Sequence, residues 1–127
     1  MELVSLVILV ALLQYMYFGI LVGKARATHG IDAPATTGNE IFERTYRVQM
    51  NTLEILVALV PAMFIFAQNV RADVAAYAGI VYIIGRFIYL RSYVADPKKR
   101  SLGFLLSYLP LIVLVLWGIV SLAMGMM

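Results

Sequence analysis

Phe42-Glu43-Arg44-Thr45-Tyr46-Arg47-Val48-Gln49-Met50-Asn51-Thr52-Leu53-Glu54 carries ionisable and amide side chains straight into an apolar run, Ile55 to Ala67. At about 100° per helical residue, Arg44, Arg47, Asn51 and Glu54 fall within one sector roughly 80° wide, whereas Gln49 points almost the opposite way. One helix therefore offers polar groups to two different neighbours. The apolar run alone, roughly 20 Å at the helical rise, is too short for a bilayer core of about 30 Å. Counting back about 20 residues from the polar exit at Gln68-Asn69 reaches Gln49, so Asn51 and Glu54 are expected inside the membrane boundary. An unpaired charge there costs ~2.5 kcal/mol or more, and a partner or a ligand is expected for it.

Composition agrees with a membrane protein. Of 127 residues, 63% are hydrophobic and 13% charged, well below the roughly 25% usual for a soluble globule. The length accommodates four spans of about 20 residues with short connections, so a single all-α, four-span membrane domain is expected. The net charge of +3 resides mainly beside the predicted membrane ends. A positive-inside bias accounts for that placement, and nucleic acid is not an expected partner. There is no cysteine and a single histidine, which argues against disulfides, a protein thiol nucleophile and a transition-metal site.

The spans are placed at approximately 3–23, 41–69, 74–94 and 101–125, with the last apolar stretch continuing to Met127. The first begins after Glu2 and is too long for the apolar core of a signal peptide, so it is expected to remain as a span. Gln14 lies in mid-span and suits a helix–helix hydrogen bond. A loop with Gly30, Pro34 and Gly38 follows, and Thr37 with Glu40 three residues later forms a capping box for the second helix, with Asn39 as the other candidate cap. Pro61 is expected to kink that helix. Asp73 is the expected cap of the third helix and Asp96, before Pro97, of the fourth. Along the third span Tyr82, Arg86, Tyr89 and Tyr93 share one face, whereas an interfacial aromatic belt needs no common face and no arginine on it.

Lys24, Arg26, Arg91, Lys98, Lys99 and Arg100 fall around the first and third loops, against Arg71 on the other side, which predicts a cytoplasmic location for those loops. The polar faces of the second and third helices meet at that end. Their inventory is Arg47 and Arg100 for carboxylates, Glu54 for an ammonium, Asn51 for amides, and Tyr89 and Tyr93 as hydroxyl donors, which suits a zwitterionic, peptide-like anion. A proton-coupled transporter could also use Glu54 but does not need so many arginines at one end.

The stretch Phe42 to Glu54, with Arg86, Tyr89 and Tyr93 and with Arg100 seven residues beyond, resembles the MAPEG family of microsomal glutathione S-transferases and leukotriene synthase. The likeness extends over most of the chain. It implies a homotrimer of four-helix subunits with glutathione at each subunit interface. By motif position, Arg47, Asn51, Glu54, Tyr89, Tyr93 and Arg100 would contact glutathione from one subunit, and Arg26 and Gln49 from its neighbour. Arg100 would stabilise the thiolate as the catalytic residue. The implied function is a membrane glutathione transferase acting on hydrophobic electrophiles from the bilayer, or a glutathione-dependent peroxidase, in a bacterial inner membrane or the endoplasmic reticulum. A non-catalytic, lipid-binding member of the family is the main alternative. Two positions depart from the leukotriene synthase branch: Ile55 replaces a tyrosine, and Arg26 is followed by Ala27 in place of a second arginine.

Overall fold

A computed structural model describes residues 1–126; the C-terminal end of the fourth apolar stretch, Met127, lies outside the described residues. The chain forms α1 (Glu2–His29), α2 (Glu40–Asn69), α3 (Ala72–Ala95), a 3-10 turn (Pro97–Lys99) and α4 (Ser101–Met126). All four α-helices are long and apolar enough to cross a membrane. The helices α2 and α3 form the central pair; each packs on the other, on α1 and on α4.

The caps refine three of the expected boundaries. Asn39, not Thr37, caps α2: its Oδ1 accepts from the Ile41 and Phe42 amides at 2.9 and 3.1 Å. The reason is local, because Gly38 takes a φ of 132°, outside any helical conformation, and Asn39 after it has the extended backbone that a cap position requires. Arg71, not Asp73, occupies the cap position of α3. Asp73 sits in the first turn and accepts two hydrogen bonds from the Arg71 guanidinium. Asp96 caps the 3-10 turn by accepting from the Lys98 amide, and α4 starts one step later. The helix α1 runs six residues past its expected span to His29 and ends on Gly30 in the left-handed conformation.

The core lies in two clusters with a polar layer between them. The larger joins Val4, Val7 and Ala11 of α1 to Leu56, Leu59, Met63 and Phe66 of α2, Ala75 and Ala76 of α3, and Leu111 and Leu114 of α4. The smaller, nearer the basic end, gathers Phe18, Val48 and Tyr89. Gln14 donates to the Ile83 carbonyl across α1 and α3, the interhelical role expected of it. The close contact of α3 with α4 depends on two glycines. A Cβ on Gly103 would stand 2.5 Å from the Tyr89 Cα, and one on Gly85 2.8 Å from the Leu106 backbone, so the two helices meet nearly backbone to backbone.

Candidate functional site

The close approach of α3 and α4 sets Tyr89 and Tyr93 beside the start of α4, and α2 supplies the third wall. Between them opens a cavity of about 670 Å³. Its polar wall is Arg47 and Asn51 of α2, Tyr89 and Tyr93 of α3, and Arg100 with Ser101 at the head of α4. The remaining wall is apolar and belongs to α4, from Phe104 and Leu105 through Tyr108 and Leu109 to Ile112. Spacings of three and four residues put these on one stripe, so the cavity runs from a basic mouth to an apolar groove. Phe104 stacks on Tyr108 at 5.4 Å, and Tyr89 on Tyr93 at 5.3 Å.

Five of the eight residues expected in a site line this one cavity: Arg47, Asn51, Tyr89, Tyr93 and Arg100. Glu54 lies beside it, accepting a 2.8 Å hydrogen bond from Arg47 Nη1 across two turns of α2. That pair is the partner expected for an acidic group at the membrane boundary. Both side chains keep about half their surface exposed, so the pair is open to competition from a ligand.

Arg26 and Gln49 lie elsewhere. Arg26 donates to the Ala35 carbonyl at 2.8 Å and stacks its guanidinium 4.8 Å from the Phe42 ring centroid, tying the first loop to α2. Gln49 turns toward α1, where its Nε2 lies 2.9 Å from the position a Cβ on Gly19 would take. Neither lines the cavity of its own chain. A second, more polar cavity of about 400 Å³ adjoins the first, sharing Arg47 and Tyr93 and adding Glu40, Glu43 and Arg44. Arg44, on the same face as Arg47 by periodicity, is tied down by donating to the Val94 carbonyl at 3.1 Å.

Arg86 is the functional-looking residue whose role spacing alone could not give. It is completely buried, donating from Nε to Ser107 Oγ at 2.8 Å and from Nη1 to Asn51 Oδ1 at 2.8 Å and Thr52 Oγ1 at 3.2 Å. Its tyrosine stripe revealed the face it occupies, and that this face meets α2, but not that the guanidinium is fully enclosed and tied to Ser107 of α4 as well. Among the described residues no group of three or more His, Asp or Glu side chains converges as a metal site would require.

The wall thus combines cations, phenols and an apolar groove. Comparison with known proteins bears on that combination. The sequence profile of the MAPEG family matches residues 4–120. The chain is 41% identical over 117 residues to an uncharacterised protein of Synechocystis sp., covering 92% of this chain and 85% of that one. It is 36% identical over 110 residues to the microsomal glutathione S-transferase 2 of Homo sapiens, covering 87% and 75% of the two chains. Against the leukotriene C4 synthase of Cavia porcellus identity is 32% over 98 residues, covering 77% and 65%. With the family profile spanning nearly its whole length, this chain belongs to the MAPEG family.

Proposed function

We propose that this protein is a homotrimeric membrane glutathione transferase whose site is the cavity between α2, α3 and α4. The observation that carries the proposal is the convergence of Arg47, Asn51, Tyr89, Tyr93 and Arg100 on one cavity that continues into an apolar groove. Glutathione is a peptide anion with two carboxylates, one ammonium and a thiol, and the wall supplies a complement for each. Arg47 would take a carboxylate through a charge-assisted hydrogen bond, releasing Glu54 to accept from the ammonium. The similarity to a microsomal glutathione S-transferase and a leukotriene C4 synthase supports this ligand.

A thiol of pKa about 8.5 is only about 3% ionised at pH 7, and half ionisation requires about 2 kcal/mol of preferential stabilisation of the thiolate. Arg100 would supply it as a fixed charge, aided by the free amides in the first turn of α4. The thiolate sulfur then attacks an electrophilic carbon; the S–C bond forms as the leaving group departs with the displaced electron pair, or as an epoxide oxygen takes it up and is protonated from water. The groove of Phe104, Leu105, Leu109 and Ile112 would admit a lipophilic acceptor from the bilayer. The same thiolate could attack a hydroperoxide oxygen, the S–O bond forming as the O–O bond breaks and the alkoxide leaves to be protonated; a second glutathione would then attack the resulting sulfenic acid, forming the disulfide as water departs. Arg26 and Gln49 would serve the site of the adjacent subunit, and the basic end would face the cytoplasm.

Isothermal titration of glutathione into the purified protein in detergent, followed by turnover of an aryl halide, tests the proposal. Saturable heat and conjugate formation are expected. Absence of saturable heat would overturn it in favour of a lipid-binding role.

A further inference from the structure

Among the described residues Arg86 is the one fully buried charged side chain, and no carboxylate pairs with it. Its neighbours are neutral: Ser107, Asn51, Thr52, and the face of Tyr89, whose ring centroid lies 4.3 Å from the guanidinium carbon. Those neighbours are themselves anchored. Ser107 Oγ donates to the Gly103 carbonyl at 2.6 Å and Thr52 Oγ1 to the Val48 carbonyl at 2.7 Å. The guanidinium, carried by α3, is therefore held by α2 and α4 together, with Nη2 left without a partner among the described residues. Such an arrangement is costly for a membrane helix, which points to a purpose beyond packing.

The consequence lies at Asn51. A guanidinium has donors and no acceptor, so it captures the carboxamide oxygen and fixes which way the amide faces. Among the described residues the amide nitrogen, Nδ2, makes no hydrogen bond and is not among the sealed, unpaired atoms, and Asn51 is part of the cavity wall. Asn51 therefore presents N–H groups to the cavity. With Arg47 and Arg100 the side-chain nitrogen groups of that wall are donors only; the side-chain acceptors of the lining are the hydroxyls of Tyr89, Tyr93, Tyr108 and Ser101, and the one carboxylate beside it, Glu54, is held by Arg47.

We propose that Arg86 is a positioning residue that, by capturing the Asn51 oxygen and bracing the Tyr89 ring, makes the cavity select its ligand through carboxylate and carbonyl groups. The inference rests on glutathione as the ligand and specifies how it is chosen. Reversing the amide would present an oxygen to the ligand's carboxylates and reject them.

Two substitutions test this against a purely structural role. Asn51→Asp gives Arg86 a counter-charge, so thermal stability should hold or rise, while an acceptor replaces the donor at the wall. Its glutathione Kd should rise by about tenfold to a hundredfold. Arg86→Lys keeps the charge but loses the fork that reaches Asn51 and Ser107 together, and it should also weaken glutathione binding. The deciding readout is the ratio of Kd for glutathione to that for its dimethyl ester. Wild-type protein should favour the free acid, and the preference should fall in both variants; a general packing defect would weaken both ligands alike. Unchanged glutathione affinity and preference in folded Asn51→Asp, or in Arg86→Lys, would overturn the inference alone. No glutathione binding by wild-type protein would overturn the proposed function and this inference with it.

Discussion

Arg100 stands where the 3-10 turn meets α4, and its carbonyl accepts from the Phe104 amide at 3.0 Å, which makes it the residue at the cap position of that helix. Its side chain is exposed in the cavity wall and forms no ion pair among the described residues. A free guanidinium beside free helix amides is suited to an anion, and an arginine stays charged throughout the working range. Arg100→Ala should therefore still bind glutathione through Arg47 and Glu54, yet lose most of the ultraviolet thiolate absorbance and most of the turnover. Arg100→Lys should retain part of both. An intact thiolate signal in Arg100→Ala would remove the residue from the chemistry. At this scale the sequence was informative wherever helical periodicity decides the matter: Arg47 and Asn51 share a face, Tyr89 and Tyr93 share another, and the faces meet. It was uninformative where a long side chain chooses between partners. Periodicity groups Arg44 with Arg47, but only the fold brings the Val94 carbonyl within reach of Arg44 and withdraws it from the cavity.

The helices were legible as elements because apolar runs of bilayer length leave few alternatives, and their ends were not, because several good cap residues stand close together. Thr37 and Asn39 are both favoured cap types; the backbone at Gly38 decides for Asn39. Asn39→Ala should then cost about 1 kcal/mol in thermal or denaturant unfolding in detergent, while Thr37→Ala should cost almost nothing. Equal losses would restore Thr37 as the cap. The α3–α4 contact was also hidden, since a glycine in a span reveals nothing about what approaches it. Gly103→Ala would drive a methyl group into the Tyr89 backbone, which cannot yield as a flexible side chain could. The expected outcome is a loss of about 1–3 kcal/mol, with weaker glutathione binding because Tyr89 and Arg100 are displaced together. Gly23→Ala, where a Cβ would meet nothing within 4 Å, serves as the control and should be neutral or slightly stabilising. A Gly103→Ala protein as stable as that control would mean that the two helices are not held at this distance.

For the whole molecule, a single chain accounts for some of its polar groups and not for others. The cavity uses Arg47, Asn51, Tyr89, Tyr93 and Arg100, and Glu54 is paired at its edge, but Gln49 faces α1 with its amide at Gly19 and Arg26 holds the first loop, both away from that cavity. A half-buried amide on a membrane helix and a cation at its edge are expensive to keep without a use. The proposed trimer gives them one: Arg26 and Gln49 would complete a site formed mainly by the next subunit, and each site would draw on two chains. A shared site makes a genetic prediction that a self-contained one does not. Arg47→Ala and Gln49→Ala should each be nearly inactive as pure proteins, one lacking the main wall and the other the neighbour's contribution. When the two are coexpressed and mixed trimers are isolated through different affinity tags, some interfaces would pair an intact main wall with an intact neighbour, while others would carry both defects. Activity should return in part, and it should scale with the fraction of mixed trimers. No recovery in verified mixed assemblies would confine each site to one chain, and Arg26 and Gln49 would then be residues of the loop and of the α1–α2 contact alone.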